Sequence, residues 1–380
     1  MYKVLYVIQH ISSPLRGGAH IATANLIRRL RSRGRQVDVL TNCEIDDDVR
    51  VKFGGARFYK WREPRRYGII WFCNRCFVKL RCACDYPDWT IDPTGGIRRL
   101  MMRYDCVCVM SEEDPLRRLV SNLPSNIRKV QMIHTWYSKW CSISNRARRL
   151  TKCDRSVYAN MDVVAVVGSS NAAEFKELYG GLAQKVCGFK NIIEFVPECR
   201  RERRDINGRI RIVTLARFDN TAKMSSRSIS IARRLVDEGF DIEWVFAGNG
   251  YETAVRQLES EGAMSERIRF VGHVEDPWPL LLSSDIMALF SRFEGLPNSV
   301  YDSVRAGLPV ACTAVGGMRD QVIDGINGWL FYDDEEEILS GMRRLLSKRA
   351  IIEEAKNNLI GYVYDNEAVL SAHMSILGLD

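Results

Sequence analysis

The chain reads as an α/β protein built from two Rossmann-like domains facing a cleft, and three observations carry that reading. Short Val/Ile-rich runs alternate with longer helical segments, the pattern of parallel sheets covered by helices on both faces. At 380 residues the chain is long for a single core. Near its middle the polar run Arg200-Arg201-Glu202-Arg203-Arg204-Asp205-Ile206-Asn207-Gly208 ends in a turn signal and reads as an interdomain linker. The expected domains are 1–200 and 201–380.

The elements follow in order. Strands are expected at 3–8, 36–41, 105–110, 129–133 and 162–167 in the first half, and at 210–216, 242–247, 267–271, 286–290 and 309–313 in the second. Gly17 and Gly18 precede a helix over 19–33, whose apolar positions Ile21, Ala22, Leu26, Ile27 and Leu30 keep helical spacing. Glycines at a helix N-terminus either let a ligand approach the backbone or simply form a turn. A last helix is expected over 366–377, with Val369, Leu370, His373 and Leu377 on one side.

Composition narrows the function classes. A hydrophobic content of 46% is ordinary for a soluble globular protein. No window reaches the roughly 18 to 20 apolar residues needed to cross a bilayer. The apolar run at the N-terminus is short and lacks a small-residue cleavage site, so the chain is expected in the cytoplasm. The net charge of +8 hides an asymmetry: residues 1–200 carry 34 Lys and Arg against 19 Asp and Glu, and residues 201–380 carry 21 against 28. A basic half beside an acidic one points to an anionic surface or substrate on the first half. No nucleic-acid motif accompanies the charge, so an anionic membrane surface or a lipid-linked phosphate is favoured over nucleic acid. The basic, aromatic stretch 59–84 suits a lipid interface and equally suits a domain helix with snorkelling cations. Such docking would be peripheral, at the inner face of the plasma membrane.

Twelve cysteines would suggest disulfides in a small secreted domain, which this chain is not. Cys73-x-x-Cys76 with Cys82-x-Cys84 has thiolate spacing that can hold zinc. No histidine or second Cys-x-x-Cys completes the set, so small buried thiols on a helix over 69–84 are the favoured reading.

The densest chemistry lies in 290–331. It includes Phe290-Ser291-Arg292-Phe293-Glu294-Gly295-Leu296-Pro297-Asn298, then Tyr301-Asp302-Ser303-Val304-Arg305-Ala306-Gly307, Gly316-Gly317 and Asp324-Gly325-Ile326-Asn327-Gly328. Glu294 follows a strand at its C-terminal end, where open parallel sheets bind ligands. A helix starting near Asn298 offers free N–H groups beside it. An acceptor for hydroxyls next to a seat for phosphate suits a sugar joined to a diphosphate. Arg217 and Lys223, in Ala-Arg-Phe-Asp-Asn-Thr-Ala-Lys after the strand 210–216, are two cations placed to neutralise that diphosphate.

The stretch 290–331 resembles the donor-binding signature of family 4 of the retaining, GT-B-fold glycosyltransferases, including its Glu-x7-Glu spacing. Here the second acid is Asp302, one methylene shorter. The resemblance runs through most of the chain and implies a GT-B fold, a UDP- or GDP-sugar donor, a glycan or lipid-linked acceptor, no cofactor and no catalytic metal. It implies that Glu294 binds donor-sugar hydroxyls, with Gly295, Leu296 and Pro297 lining the pocket, and that Asp302 holds the ribose. Arg217 and Lys223 match the pair that grips the diphosphate. Gly248, in Gly248-Asn249-Gly250, matches a glycine turn, and His273 and Val274 align with the stretch whose backbone meets the base. Gly17 and Gly18 match a pair near donor phosphate and acceptor. His134, in His134-Thr135-Trp136-Tyr137, falls where polysaccharide-assembling members carry His-Thr-Asp-Tyr, with Trp136 replacing the Asp. Ser169 matches a family serine or caps a helix. The last helix, about 365–378, would cross back to the first domain. Asp46-Asp47-Asp48 imitates the Asp-x-Asp of the unrelated GT-A enzymes, but without partner ligands it reads as a solvated loop.

The expected activity is retaining, metal-independent transfer of a hexosyl or acetylhexosaminyl group in surface polysaccharide assembly. A non-catalytic nucleotide-sugar-binding scaffold or partner of an active transferase, and a sugar-nucleotide epimerase on the same fold, are the alternatives. A dinucleotide oxidoreductase is disfavoured, because no Gly-x-Gly-x-x-Gly follows the first strand.

Overall fold

The computed structural model describes residues 2–15, 17–61, 95–110, 116–143, 155–193, 208–260 and 265–380. The chain falls into two compact units, Met1–Glu194 with Asp365–Asp380, and Phe195–Tyr364. The cysteine set 73–84, most of the basic stretch 59–84 and the charged run 200–207 lie outside the described residues.

Among the described residues the first unit holds seven strands: β1 (Lys3–Val7), β2 (Gln36–Thr41), β3 (Phe58–Lys60), β4 (Cys106–Val109), β5 (Arg128–Ile133), β6 (Val163–Val167) and β7 (Val186–Phe189). They pair in parallel in the order β3-β2-β1-β4-β5-β6-β7. The second unit holds β8 (Ile210–Leu215), β9 (Ile242–Ala247), β10 (Ile268–Gly272), β11 (Ile286–Leu289), β12 (Val310–Thr313) and β13 (Gly328–Phe331). These too are parallel, in the order β10-β9-β8-β11-β12-β13. Each order reverses direction once, between β1 and β4 and between β8 and β11. Such reversals leave a crevice beyond the strands' C-terminal ends.

Three strands fall outside the sequence reading: β3, β7 and β13. Each is a sheet edge of three or four residues, and β7 and β13 contain Gly188 and Gly328. An edge strand buries less side chain, so it need not carry the apolar run that announces a central one.

In the second unit the strand residues alternate between two cores. Ile210, Ile212, Trp244, Phe246 and Ile286 pack on the side of helices Ser225–Asp237 and Glu335–Leu346. Val213, Met287, Leu289, Val310 and Cys312 pack on the side of helix Asn298–Arg305. Both faces are therefore covered, and the polar chemistry is left to the strand ends.

In the first unit two expectations change. The Asp46–Asp48 run is solvent-exposed as expected but starts a helix and is not a loop: Asp46 caps the helix Asp47–Lys52, its Oδ1 accepting the Val49 N–H at 2.8 Å. Aspartates suit a helix start, where they meet free N–H groups and the positive end of the dipole. Ser169 does not cap its helix. Gly168 holds the N-cap position, and Ser169 is the first residue of helix Ser169–Leu178.

The last helix, Asn366–Leu377, belongs to the first unit. Asp365 Oδ1 caps its start through the N–H groups of Glu367 and Ala368. Its final carbonyls are taken by side chains from elsewhere in the unit. Arg128 donates to Ile376 and Ser375, and Tyr2 donates to Leu377. His373 is buried, its Nε2 donating to the Lys190 carbonyl at 2.8 Å. Its Nδ1 has no hydrogen-bond partner among the described residues. Burial pushes its pKa down to about 4, against a partial opposing effect of the Lys190 hydrogen bond.

A depressed histidine pKa fixes the sign of a pH effect. Above about pH 6.5 His373 is neutral folded or unfolded and adds no pH dependence. Below it the unfolded chain gains a proton that the folded unit refuses until about pH 4, so stability falls across that window. Denaturant unfolding at pH 7 and pH 5 is expected to show His373 contributing a loss of about 2 kcal/mol, largely removed in His373→Gln. An identical pH 7-to-5 difference in wild type and variant contradicts this.

Candidate functional site

The second sheet reverses between β8 and β11, and the two loops leaving these strands carry Arg217, Lys223 and Glu294. The first loop is organised by Asp219. Its Oδ1 accepts the N–H groups of Thr221, Ala222 and Lys223 at 3.0, 2.6 and 3.1 Å, and its Oδ2 accepts Arg217 Nε at 2.7 Å. Its own N–H donates to Ser225 Oγ at 3.0 Å, closing the loop onto helix Ser225–Asp237. Burial favours the protonated acid, but the Arg217 bond and the backbone amides outweigh it and hold the carboxyl below the ordinary range. Met224, the last loop residue, lies in the left-handed region at φ 51.

The second loop presents Glu294, which is only 8% exposed. Ser291 Oγ donates to Glu294 Oε1 at 2.6 Å, and the Lys223 ammonium pairs with the same oxygen. Thr313, at the end of β12, donates to the Ser291 carbonyl at 2.5 Å. The loops are also joined by backbone: the Arg292 N–H donates to the Ala222 carbonyl at 2.7 Å. Beneath them the buried Arg227 donates to the Phe290 carbonyl and to Asp333.

Neighbouring turns press in closely. A Cβ on Gly317 would lie 2.0 Å from the Gly295 carbonyl oxygen, and one on Gly248 only 1.8 Å from that of Ala216. Only glycine permits these approaches. Leu296 and Pro297 are buried, and Gln321 Nε2 donates to the Pro297 carbonyl at 3.0 Å. Gly248 N–H donates to the Gly272 carbonyl at 2.7 Å, tying in the β10 end where exposed His273 and half-buried Val274 follow. Asp302 is half-buried within helix Asn298–Arg305. The structure thus joins Arg217, Lys223, Gly248, Glu294 and Gly295 through a network of loop contacts. His273, Val274 and Asp302 lie at its margins, on β10's end and on the helix.

Gly17, Gly18 and His134 belong to the first unit. Gly17, at φ 90, precedes helix Gly18–Ser32. His134 follows β5, its ring edge-on to Phe189 at 5.0 Å. Its Nε2 is buried without a hydrogen-bond partner among the described residues. Burial, then the positive potentials of His373 and His20, push its pKa down to about 3, so it is a neutral hydrogen-bonding group at ordinary pH. Trp136 is tied down: its indole N–H donates to Glu174 at 2.5 Å, and Ser138 donates to the same carboxylate oxygen at 2.6 Å.

Asp219, Ser291, Thr313 and Arg227 were not singled out in the sequence. For Asp219 a signal exists, since an aspartate side chain in a turn accepts backbone N–H groups from two residues on, here those of Thr221 to Lys223. Ser291 and Thr313 are isolated hydroxyls at the ends of apolar strands, and only the fold shows what they bind. Chemically, the site offers one carboxylate for hydroxyls and two cations for a polyanion.

Residues 209–348 match the family model described as "Glycosyl transferases group 1", and residues 17–190 match "Glycosyl transferase 4-like domain". The chain belongs to the family 4 glycosyltransferases. The chain is 34% identical over 106 residues to the Vi polysaccharide biosynthesis protein VipC/TviE of Salmonella typhi, covering 28% of the chain and 18% of that protein. It is 26% identical over 216 residues to the lipopolysaccharide core biosynthesis glycosyltransferase LpsE of Rhizobium meliloti (strain 1021), covering 50% of the chain and 63% of that protein. The matches therefore span less than two thirds of either relative. Its fold is GT-B: it aligns with the crystal structure of Anabaena Alr3699/HepE in complex with UDP and glucose at a TM-score of 0.72 and 14% identity, over 100% of both chains.

The backbone at Met224 supplies a test of the loop geometry. A non-glycine residue in the left-handed region is strained, so Met224→Gly is expected to stabilise the protein by about 0.5–1 kcal/mol after glycine's greater unfolded-state freedom is counted. Denaturant titration measures this, and a destabilised variant would contradict the geometry.

Proposed function

We propose that this chain is a retaining glycosyltransferase that moves a hexosyl or acetylhexosaminyl group from a nucleotide-diphosphate sugar to a glycan or lipid-linked acceptor in surface polysaccharide assembly. The observation that carries the reading is the convergence of Lys223 and Glu294 beside Arg217 at the reversal of the second sheet. Its polysaccharide context is supported by the two relatives named above, and a UDP-sugar by the UDP in the HepE complex.

In this reading Glu294 accepts hydroxyls of the donor sugar, with Ser291 holding one carboxylate oxygen in place. Gly295, Leu296 and Pro297 line the pocket. Arg217 and Lys223 bind the diphosphate and stabilise the negative charge that grows on it as the glycosidic bond breaks. Asp302 reaches toward the ribose, and the backbone of Gly248, His273 and Val274 lies along the nucleotide. Gly17, Gly18 and neutral His134 serve the donor phosphate and the acceptor. Retention follows a front-face course in which the leaving phosphate oxygen takes the acceptor proton, so no protein base is assigned. Because two side-chain cations carry the charge neutralisation, turnover is expected to persist in excess chelator.

No helix among the described residues is long and apolar enough to cross a membrane. The basic surplus in residues 1–200 supports peripheral docking on an anionic leaflet, read out by sedimentation with anionic liposomes at low salt.

Incubation with a panel of UDP- and GDP-sugars, followed by nucleotide release, tests the activity. With the active donor, Arg217→Ala and Glu294→Ala are each expected to lose roughly 100-fold or more in turnover, about 2.7 kcal/mol of barrier. Near-native turnover in either variant would defeat the assignment.

A further inference from the structure

We propose that Asp219 is a positioning residue that makes Arg217 and Lys223 act as one diphosphate clamp. The proposal rests on the reading of Arg217 and Lys223 as the diphosphate cations, and it concerns a residue to which that reading gives no role.

One carboxylate does two jobs. Its Oδ1 gathers the amides of Thr221, Ala222 and Lys223, which turns the loop so that Lys223 points at Glu294. Its Oδ2 takes Arg217 through Nε. Arg217 is otherwise exposed, at 69% of its side-chain surface. A flexible, solvated arginine loses considerable side-chain entropy when it closes on a ligand. Anchoring Nε removes part of that loss beforehand and leaves the terminal guanidinium nitrogens for phosphate, the fork geometry that binds two oxygens at once. The loop's closure by Ser225 and the Arg292–Ala222 backbone bond carry the same rigidity to the Glu294 loop. Asp219 itself is an anion beside a proposed polyanion site. Its charge is compensated locally by one guanidinium and three N–H groups, so its net effect is orientation.

Asp219→Asn separates the two jobs. Asparagine Oδ1 still accepts the three amides, so the loop and the melting temperature are retained. Its NH2 group meets Arg217 Nε donor to donor, so the guanidinium is released. Calorimetry with UDP, GDP and uridine as probes is run on wild type, Asp219→Asn, Arg217→Ala and the double variant. Expected is a dissociation constant for the tighter nucleoside diphosphate raised about 5- to 10-fold by Asp219→Asn, about 1–1.4 kcal/mol. Uridine, which has no phosphate, should bind unchanged. In the double variant Asp219→Asn should add less than about twofold to Arg217→Ala, because it acts through that arginine.

The proposal is overturned if Asp219→Asn binds the diphosphate like wild type while Arg217→Ala is weakened, or if the two effects multiply. It is also overturned if uridine weakens in parallel, which would mark a general structural role. If Arg217→Ala leaves diphosphate binding untouched, or wild type binds neither nucleotide, the site assignment itself fails and takes this role with it.

Discussion

The ion pair between Lys223 and Glu294 is the contact on which the rest of the site depends. It joins two loops 71 residues apart in sequence, and both side chains are largely withdrawn from water, at 18% and 9% exposure. Withdrawn charges are stable only when paired and hydrogen-bonded; removing one partner of a buried pair costs roughly 3–5 kcal/mol. Here Ser291 supplies the added hydrogen bond to the carboxylate. In the proposed reaction a diphosphate competes with Glu294 for the ammonium, and sugar hydroxyls take the lysine's place on the carboxylate. Donor binding would then exchange one set of charge contacts for another without leaving either group bare.

The fold places this pair by ordinary packing rules. Both faces of the second sheet are occupied by helices and apolar side chains, so polar groups gather at the strand ends. Reversal of strand order between β8 and β11 opens a space there, since the helices following these strands lie on opposite faces. Gly248 and Gly317 then let adjacent turns close around it. Buried Arg227 satisfies the carbonyl at the end of the β11 segment, where the sheet no longer can.

Much of this was legible in the sequence because central strands announce themselves. Apolar runs, Val/Ile-bearing at β1, β2, β6 and β8 and Ile-Met-Ala-Leu at β11, are long enough to give their position within a residue or two, and alternation with helices gives parallel sheets. Edge strands β3, β7 and β13 stayed hidden because a short, half-covered strand needs no such run. Arg217, Lys223 and Glu294 stood out as charges directly after buried strands. What the sequence could not show was pairing across distance. That Thr313 holds Ser291, that Ser291 holds Glu294, and that Asp219 gathers three amides depends on loops meeting in space. The Asp46–Asp48 run is solvated as its charge suggests, but three consecutive acids do not by themselves tell a loop from the first turn of a short helix.

A crystal structure with a bound nucleotide-diphosphate sugar tests the central claim most directly. The account predicts the Lys223 ammonium and the terminal nitrogens of Arg217 within hydrogen-bonding distance of phosphate oxygens, and Glu294 accepting sugar hydroxyls. A ligand seated elsewhere, with Lys223 still on Glu294 and Arg217 facing solvent, would contradict it.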